Sequence, residues 1–298
     1  MVNQLFGNYL VKRGLLTKNQ LEQAFDTQRK VRVKLGLIAV TEKLMTLEQS
    51  EEVNGLQTVM DKKFGDIAVE KGYLTDEQVK RLLGLQGNQY LTFAQAVTDC
   101  GFMSLRELEY AFADYKRELA FTTTDMEALK SGDSDRIVPL FLPDDVEDLR
   151  KELILVAVRT LLRLIDSDAY IGKAEWLPKT FARGIAFQCL VGEVGNNGKM
   201  ALGIIGHDPA ILSIAGTFAK DEFERIDLDC LDAIAELINC INGMFATGLA
   251  SRATLDMLPP IYRVENVTVT GERLLALPIY INGSEIELLT TFDSMINV

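Results

Sequence analysis

Apolar and polar positions in the first 115 residues recur at one fixed step. Gly7, Gly36, Gly65 and Ala94 are each 29 residues apart. Leu16, Met45, Leu74 and Met103 follow the same period, then Thr17, Thr46, Thr75 and Ser104, then Gln20, Gln49, Gln78 and Glu107. Gln28, Gln57 and Gln86 continue the register, and Tyr115 takes the fourth place. Each copy therefore holds Ser/Thr-x-x-Gln/Glu, a capping box in which the hydroxyl takes the N3 amide and the N3 side chain returns to the cap amide. A helix is predicted after each box. Before it the pattern predicts a short helix ended by glycine (Gly14, Gly72, Gly101), with Lys43 in that place in the second copy, where the turn is expected to differ. One copy cannot bury its apolar side alone, so neighbouring copies are expected to stack.

After residue 115 the period is lost. Thr122-Thr123-Thr124, Ser131-Gly132-Asp133-Ser134-Asp135, Pro139 and Pro143 are turn formers. Residues 116–143 therefore read as a linker, with Ile137–Leu142 as an edge strand or strap and the domain boundary near residue 140. From 144 onward the period changes again. Asp144-Asp145 predicts a helix start, and the helix should run to about Ile165, apolar on nearly every face from Leu153 to Leu164. Gly184–Val194 and Lys199–Ile205 read as strands joined by Asn196-Asn197-Gly198, a hairpin signal. Helices are predicted from Asp208 to about Phe218 and from about Asp229 to about Ser251. Three further strands, Ile261–Thr270, Arg273–Ile281 and Ile286–Phe292, are separated by Gly271 and by Asn282-Gly283. The fold class expected is α+β overall: all-α tandem helical repeats over 1–115, then an α+β domain over 144–298 with an antiparallel sheet and long helices.

Composition adds exclusions. The chain has 298 residues, enough for two domains, and carries a net charge of −12. Residues 1–115 hold 14 Lys+Arg against 15 Asp+Glu, and the remaining 183 hold 17 against 28. That imbalance argues against a nucleic-acid partner or an anionic membrane surface in the second part. No apolar run reaches the length of a membrane span, and Met1–Gly7 lacks a basic n-region and apolar core. The expected localisation is cytoplasmic, without membrane insertion. Cys100, Cys189, Cys230 and Cys240 form no CxxC pair and read as reduced thiols. His207 is the single histidine, so a zinc enzyme or histidine triad is not expected and no metal site is assigned.

The longest predicted helix carries the candidate chemistry. At 100° per residue, Ile234, Ile238, Ile241, Phe245 and Leu249 form one apolar stripe. Asp232, Glu236, Asn239 and Gly243 lie together on the opposite side. A carboxylate there can pair with a partner's lysine, and a carboxamide can hold a water through one donor and one acceptor.

Two family resemblances follow from these residues. The repeated pattern Leu/Phe-Gly-x-x-Leu/Ala-Val-x-x-Gly-x-Leu-Thr-x-x-Gln, over residues 4–115, resembles the N-terminal domain of type II secretion and pilus ATPases, the GspE and MshEN group. Some members of that group bind cyclic di-GMP through two tandem motifs that begin Arg-Leu-Gly. This chain has Lys34-Leu35-Gly36 and Lys63-Phe64-Gly65 in adjacent copies, with lysine in place of arginine. The resemblance implies a cyclic di-GMP site at Lys34, Gly36, Lys63 and Gly65. Residues 185–293 resemble the CheX, CheC and FliY chemotaxis phosphatases, and CheX above all. Asp232-x3-Glu236-x2-Asn239 matches that family's motif, with Gly243 at a small-residue position and Pro259-Pro260 at the later proline. A second motif is absent: Asp148 and Glu152 have the spacing, but Leu155 stands where asparagine is required.

What this resemblance implies is hydrolysis of the aspartyl phosphate on a CheY-like response regulator. Glu236 would grip the regulator's lysine and Asn239 would orient the attacking water, with Asp232, Gly243 and Pro260 in support. Magnesium would sit on the regulator, leaving this chain without a cofactor of its own. A homodimer through sheet edges is a further expectation from the family. The alternatives are a non-catalytic docking module and a cyclic di-GMP sensor.

Overall fold

The computed structural model describes residues 1–298 apart from Asp61, Val194 and the side chain of Thr58. The chain divides into two compact units, residues 2–133 and residues 134–298, with Met1 grouped with the second.

The first unit is helical. It comprises α1 (Val2–Lys12), α2 (Lys18–Gln28), α3 (Leu35–Thr41), α4 (Leu47–Met60), α5 (Phe64–Glu70), α6 (Asp76–Gly84), α7 (Gln89–Asp99), α8 (Leu105–Leu119) and α9 (Thr123–Ser131). Reciprocal capping boxes open α2, α6 and α8 at Thr17, Thr75 and Ser104. At the fourth such site Thr46 N donates to Gln49 Oε1 at 2.8 Å, and Gln49 N donates to Thr46 Oγ1 at 3.2 Å. Gly14, Gly72 and Gly101 take φ of 70°, 71° and 69°, and Lys43 takes the same left-handed turn at φ 56°. The second turn therefore keeps its shape, against expectation, and lysine bears the strain there.

The periodic glycines are packing positions. A Cβ on Gly7 would lie 2.5 Å from Leu21, one on Gly36 2.3 Å from Ser50 Oγ, and one on Gly65 2.9 Å from Val79. In each case the obstacle stands 14 residues on, in the next helix, so glycine lets the two helices of a pair close. The copies do not simply stack in order. Phe6 meets Phe112 edge-on at 4.9 Å, Tyr9 lies 4.7 Å from Tyr115, and Phe25 lies 5.5 Å from Phe93. This aromatic cluster joins the first copy to the fourth, and Lys130 of α9 covers it, 4.8 Å from both Tyr90 and Phe112.

The stretch 116–143, expected to be a linker with a strand or strap, is largely helical. Thr122 and Asp125 form a further reciprocal capping box that opens α9. The second unit then starts with α10 (Ser134–Ile137) and a 3-10 turn over Val138–Phe141. Next comes α11 (Asp148–Leu164), which begins four residues later than Asp144. Asp145 is instead drawn to Trp176 Nε1 at 3.1 Å and to Arg273 at 2.9 Å. Its apolar residues bury one face only: Leu153, Ile154, Ala157, Val158 and Leu161 are buried while Arg159 is exposed.

The sheet strands are β1 (Tyr170–Ile171), β2 (Glu175–Ala182), β3 (Ile185–Gly192), β4 (Lys199–Gly206), β5 (Leu255–Met257), β6 (Ile261–Arg263), β7 (Val267–Ile281) and β8 (Ser284–Phe292). Between them run α12 (Asp208–Ala219) and α13 (Leu228–Leu249). All pairs are antiparallel, in the order β1-β7-β8-β4-β3-β5, with β2 also on β7 and β6 also on β3. β1, β2 and β5 were not expected. The strand expected to reach Val194 ends at Gly192, and Val194 itself lies outside the described residues. Gly271 does not end a strand: β7 runs through it, and Arg273 at φ 49° marks a bulge where the β2–β7 register shifts between Leu177 and Lys179.

One face of the sheet packs Phe187, Cys189, Ala201, Ile205 and Leu289 into a core. α13 lies against β3 and β4. Ile234, Ile238, Ile241, Phe245 and Leu249 are all buried. Five such side chains contribute on the order of 10 kcal/mol of gross burial energy, far more than the hydrogen bonds described below. That stripe anchors the rotation of α13.

Two substitutions separate strain from packing. Lys43→Gly should stabilise the chain by about 1 kcal/mol, since only the left-handed turn is relieved. Gly36→Ala should cost about 1–3 kcal/mol through overpacking against Ser50 and Phe64. Urea denaturation followed by circular dichroism reads both, and a neutral Gly36→Ala would show that the helix pair closes without the glycine.

Candidate functional site

α13 begins one turn ahead of its working face. Asp227 is its N-cap, accepting from Cys230 N at 3.0 Å. That backbone bond holds the Asp227 carboxyl below the usual carboxylate range. Asp232 and Glu236 are exposed, while Asn239 and Gly243 are half-buried. The four residues thus share the side of the helix away from the apolar stripe.

Asp232 reaches the neighbouring strand. Tyr262, on β6, lies within reach of its charge, and that charge raises the Tyr262 phenol above its ordinary range. Glu236 and Asp232 stand at the edge of an open cleft of about 870 Å³, whose lining also includes Phe218, Asp221, Glu222 and Asp229. Arg225 is the one basic residue of that lining, and it pairs with Asp227 at 3.4 Å. The cleft presents a negative surface to whatever approaches α13.

Asn239 faces a residue that the sequence reading passed over. Gln188 of β3 is fully buried, 1% exposed, among apolar neighbours. Its Nε2 donates to Asn239 Oδ1 at 2.9 Å and to the Leu258 carbonyl at 2.9 Å. Its Oε1 accepts from Asn242 Nδ2 at 2.9 Å. A lone glutamine inside the run Ile185-Ala186-Phe187-Gln188-Cys189-Leu190 was the available signal, because an amide buried without partners is costly.

Pro259-Pro260 explains the Leu258 contact. β5 pairs with Leu190–Gly192 and β6 with Ile185–Phe187, so the two are one edge strand interrupted opposite Gln188. The prolines have no N–H for the ladder. Leu258 still donates its N–H to Cys189 O at 3.0 Å, and its carbonyl is left for the Gln188 side chain. Pro260 thus lies within that interruption, two residues after Leu258. Gly243 is not forced by sterics: the nearest atom to a Cβ built there is Met257 Cε at 3.9 Å.

The other candidate residues lie in the first unit. Lys34 and Lys63 are the exposed N-caps of α3 and α5, and Gly36 and Gly65, two residues on, are buried in the first turn. These helix ends meet, since a Cβ on Gly36 would lie 3.0 Å from the Phe64 ring and one on Gly65 3.6 Å from Leu35. Lys34 Nζ already pairs with Asp99 at 2.8 Å. Helix packing alone accounts for both glycines. On α11, Glu152 pairs with Arg252 at 2.7 Å and Leu155 is half-buried. Among the described residues no three His, Cys, Asp or Glu side chains converge as a metal site. No helix among them is long and apolar enough to cross a membrane.

Several solved structures resemble about half of this chain. A CheC-like superfamily protein from Shewanella sp. PV-4 aligns at 18% identity over 49% of this chain and 97% of its own, with a TM-score of 0.42. The chemotaxis protein CheX from Desulfovibrio desulfuricans aligns at 14% identity over 49% and 99%, with a TM-score of 0.42. A CheX-CheY-BeF3-Mg complex from Borrelia burgdorferi aligns at 19% identity over 51% and 99%, with a TM-score of 0.38. No family model matches the chain, and no curated protein matches its sequence. At these identities and TM-scores the likeness fixes neither family nor activity.

The Asp232–Tyr262 contact yields a titration test. Asp232→Asn should lower the Tyr262 pKa toward the ordinary phenol value, because the charge that opposes phenolate is gone. Ultraviolet difference titration against Tyr262→Phe isolates that tyrosine, and an unmoved midpoint would mean the two side chains do not pair in solution.

Proposed function

We propose that this chain is a phosphatase for the aspartyl phosphate of a CheY-like receiver domain, with α13 as its working helix. The observation that supports this most is the pairing on one face of an exposed carboxylate, Glu236, with a carboxamide, Asn239, whose orientation is tied to the buried strand. Their spacing, together with Asp232 and the later prolines, is that of the phosphatase motif.

In this reading Glu236 binds the receiver's lysine and sets the register of docking. Asn239 then holds a water in line with phosphorus. The water oxygen forms a bond to phosphorus as the bond between phosphorus and the aspartyl oxygen breaks. The electron pair leaves with the receiver's carboxylate, and the water's proton departs on the released phosphate. Magnesium held by the receiver supplies charge neutralisation on the phosphoryl oxygens. Positioning is enough for such a step, because an acyl phosphate already carries a good leaving group and no nucleophile from this chain is required. The acidic cleft beside Glu236 suits a partner that brings basic groups of its own.

The test is phosphate release from receiver domains charged with acetyl phosphate. The full chain should accelerate release, and Glu236→Ala and Asn239→Ala should each lower the rate roughly 100-fold. No acceleration over a panel of receivers would leave a docking module. Acceleration that both variants retain would move the site elsewhere.

A further inference from the structure

We infer that Gln188 is a positioning residue, which fixes the edge that the Asn239 carboxamide turns toward the reacting centre; this rests on the phosphatase reading. A backbone carbonyl only accepts, so the Gln188 atom 2.9 Å from Leu258 O must be Nε2. The second N–H of that nitrogen meets Asn239 at 2.9 Å, so the Asn239 atom there must be Oδ1. Gln188 Oε1 is left for Asn242 Nδ2, also at 2.9 Å. One carbonyl thus sets three carboxamides in sequence. Turning Asn239 over would place one NH2 group against another.

With Oδ1 held inward, Asn239 presents its Nδ2 edge to the open side of α13. A water there accepts an N–H through one lone pair and keeps the other for phosphorus. Both of its protons stay available to phosphoryl oxygens. The chain of amides also polarises in one direction, from Asn242 through Gln188 to Asn239, which strengthens the outermost N–H as a donor.

Folding alone does not account for the arrangement. Asn242 is fully buried, and its Oδ1 has no hydrogen-bond partner among the described residues. A polar chain satisfied at one end and not at the other stabilises a core less than apolar side chains of the same size. The end that is served is the one that reaches Asn239. Gln188 touches neither water nor receiver, so its effect should fall on turnover and not on docking.

The experiment uses the full chain with Gln188→Met, which keeps length but cannot donate, and Gln188→Glu, which keeps shape but has at most one donor where Gln188 uses two. Thermal melts check that each folds. Turnover of acetyl-phosphate-charged receiver should show kcat lowered about tenfold for Gln188→Met and further for Gln188→Glu, with KM within about twofold of wild type. Side-chain amide exchange in the 15N-labelled wild type should show the Gln188 NH2 protected and the Asn239 NH2 in fast exchange with water. Variants that fold and keep kcat within about twofold of wild type would overturn the inference. So would an Asn239 NH2 that is protected, and this measurement decides the matter if neither variant folds. A wild type that never accelerates release removes the phosphatase reading itself, and the positioning role with it. An active wild type with unaffected Gln188 variants removes the positioning role alone.

Discussion

Gln188 carries its carboxamide into a strand buried on both faces, and no water can meet its donors and acceptor there. Three partners must come from the protein, and each constrains a different element. Leu258 supplies a carbonyl only because the edge strand is interrupted by prolines. Asn239 and Asn242 reach Gln188 only if α13 holds one rotation over the sheet. The apolar stripe from Ile234 to Leu249 demands that same rotation. Two unlike forces agree, burial and hydrogen-bond satisfaction, and a helix turned by a single residue would violate both. The exposed face of α13 is therefore a consequence of what its buried face must satisfy.

The helical unit was readable to the extent that its chemistry is local. A threonine and a glutamine three residues apart make a capping box whatever surrounds them, and the boxes at Thr17, Thr46, Thr75 and Ser104 open helices accordingly. The same rule applied to Thr122 and Asp125 would have found α9, but three threonines together read as a loop. Nothing local distinguishes Lys43 from a turn that differs, because closure of the surrounding helices imposes its left-handed backbone. Contact between the first and fourth copies is longer-range still, carried by aromatic pairs such as Phe6 with Phe112 and Tyr9 with Tyr115, each 106 residues apart in the chain.

In the second unit the long helix and its polar face were legible from period alone. β2 was not, since it contains Pro178, exposes Glu175 and Lys179, and shows little alternation. It is held as an edge by β7 and not by a pattern of its own. Gly271 misled for a related reason: a glycine that would end a free strand instead falls in a bulge of one that β2 keeps paired before and after it. Asn239 could be read as a candidate from spacing, but the direction its amide faces could not. That direction depends on a glutamine 51 residues upstream in sequence and on a carbonyl freed by prolines.

The aromatic seam between the first and fourth copies also limits how this unit can vary. In an open solenoid each copy touches only its neighbours, so modules can be gained or lost one at a time. Here Phe6 and Tyr9 are joined to Phe112 and Tyr115, and Arg13 to Glu118. Inserting a module would push those two surfaces apart, and deleting one would leave a ring of side chains facing the wrong helix. Residues near the start of this helical unit are thus tied to residues near its end, so an insertion or deletion between them must move that seam, whereas a substitution need not.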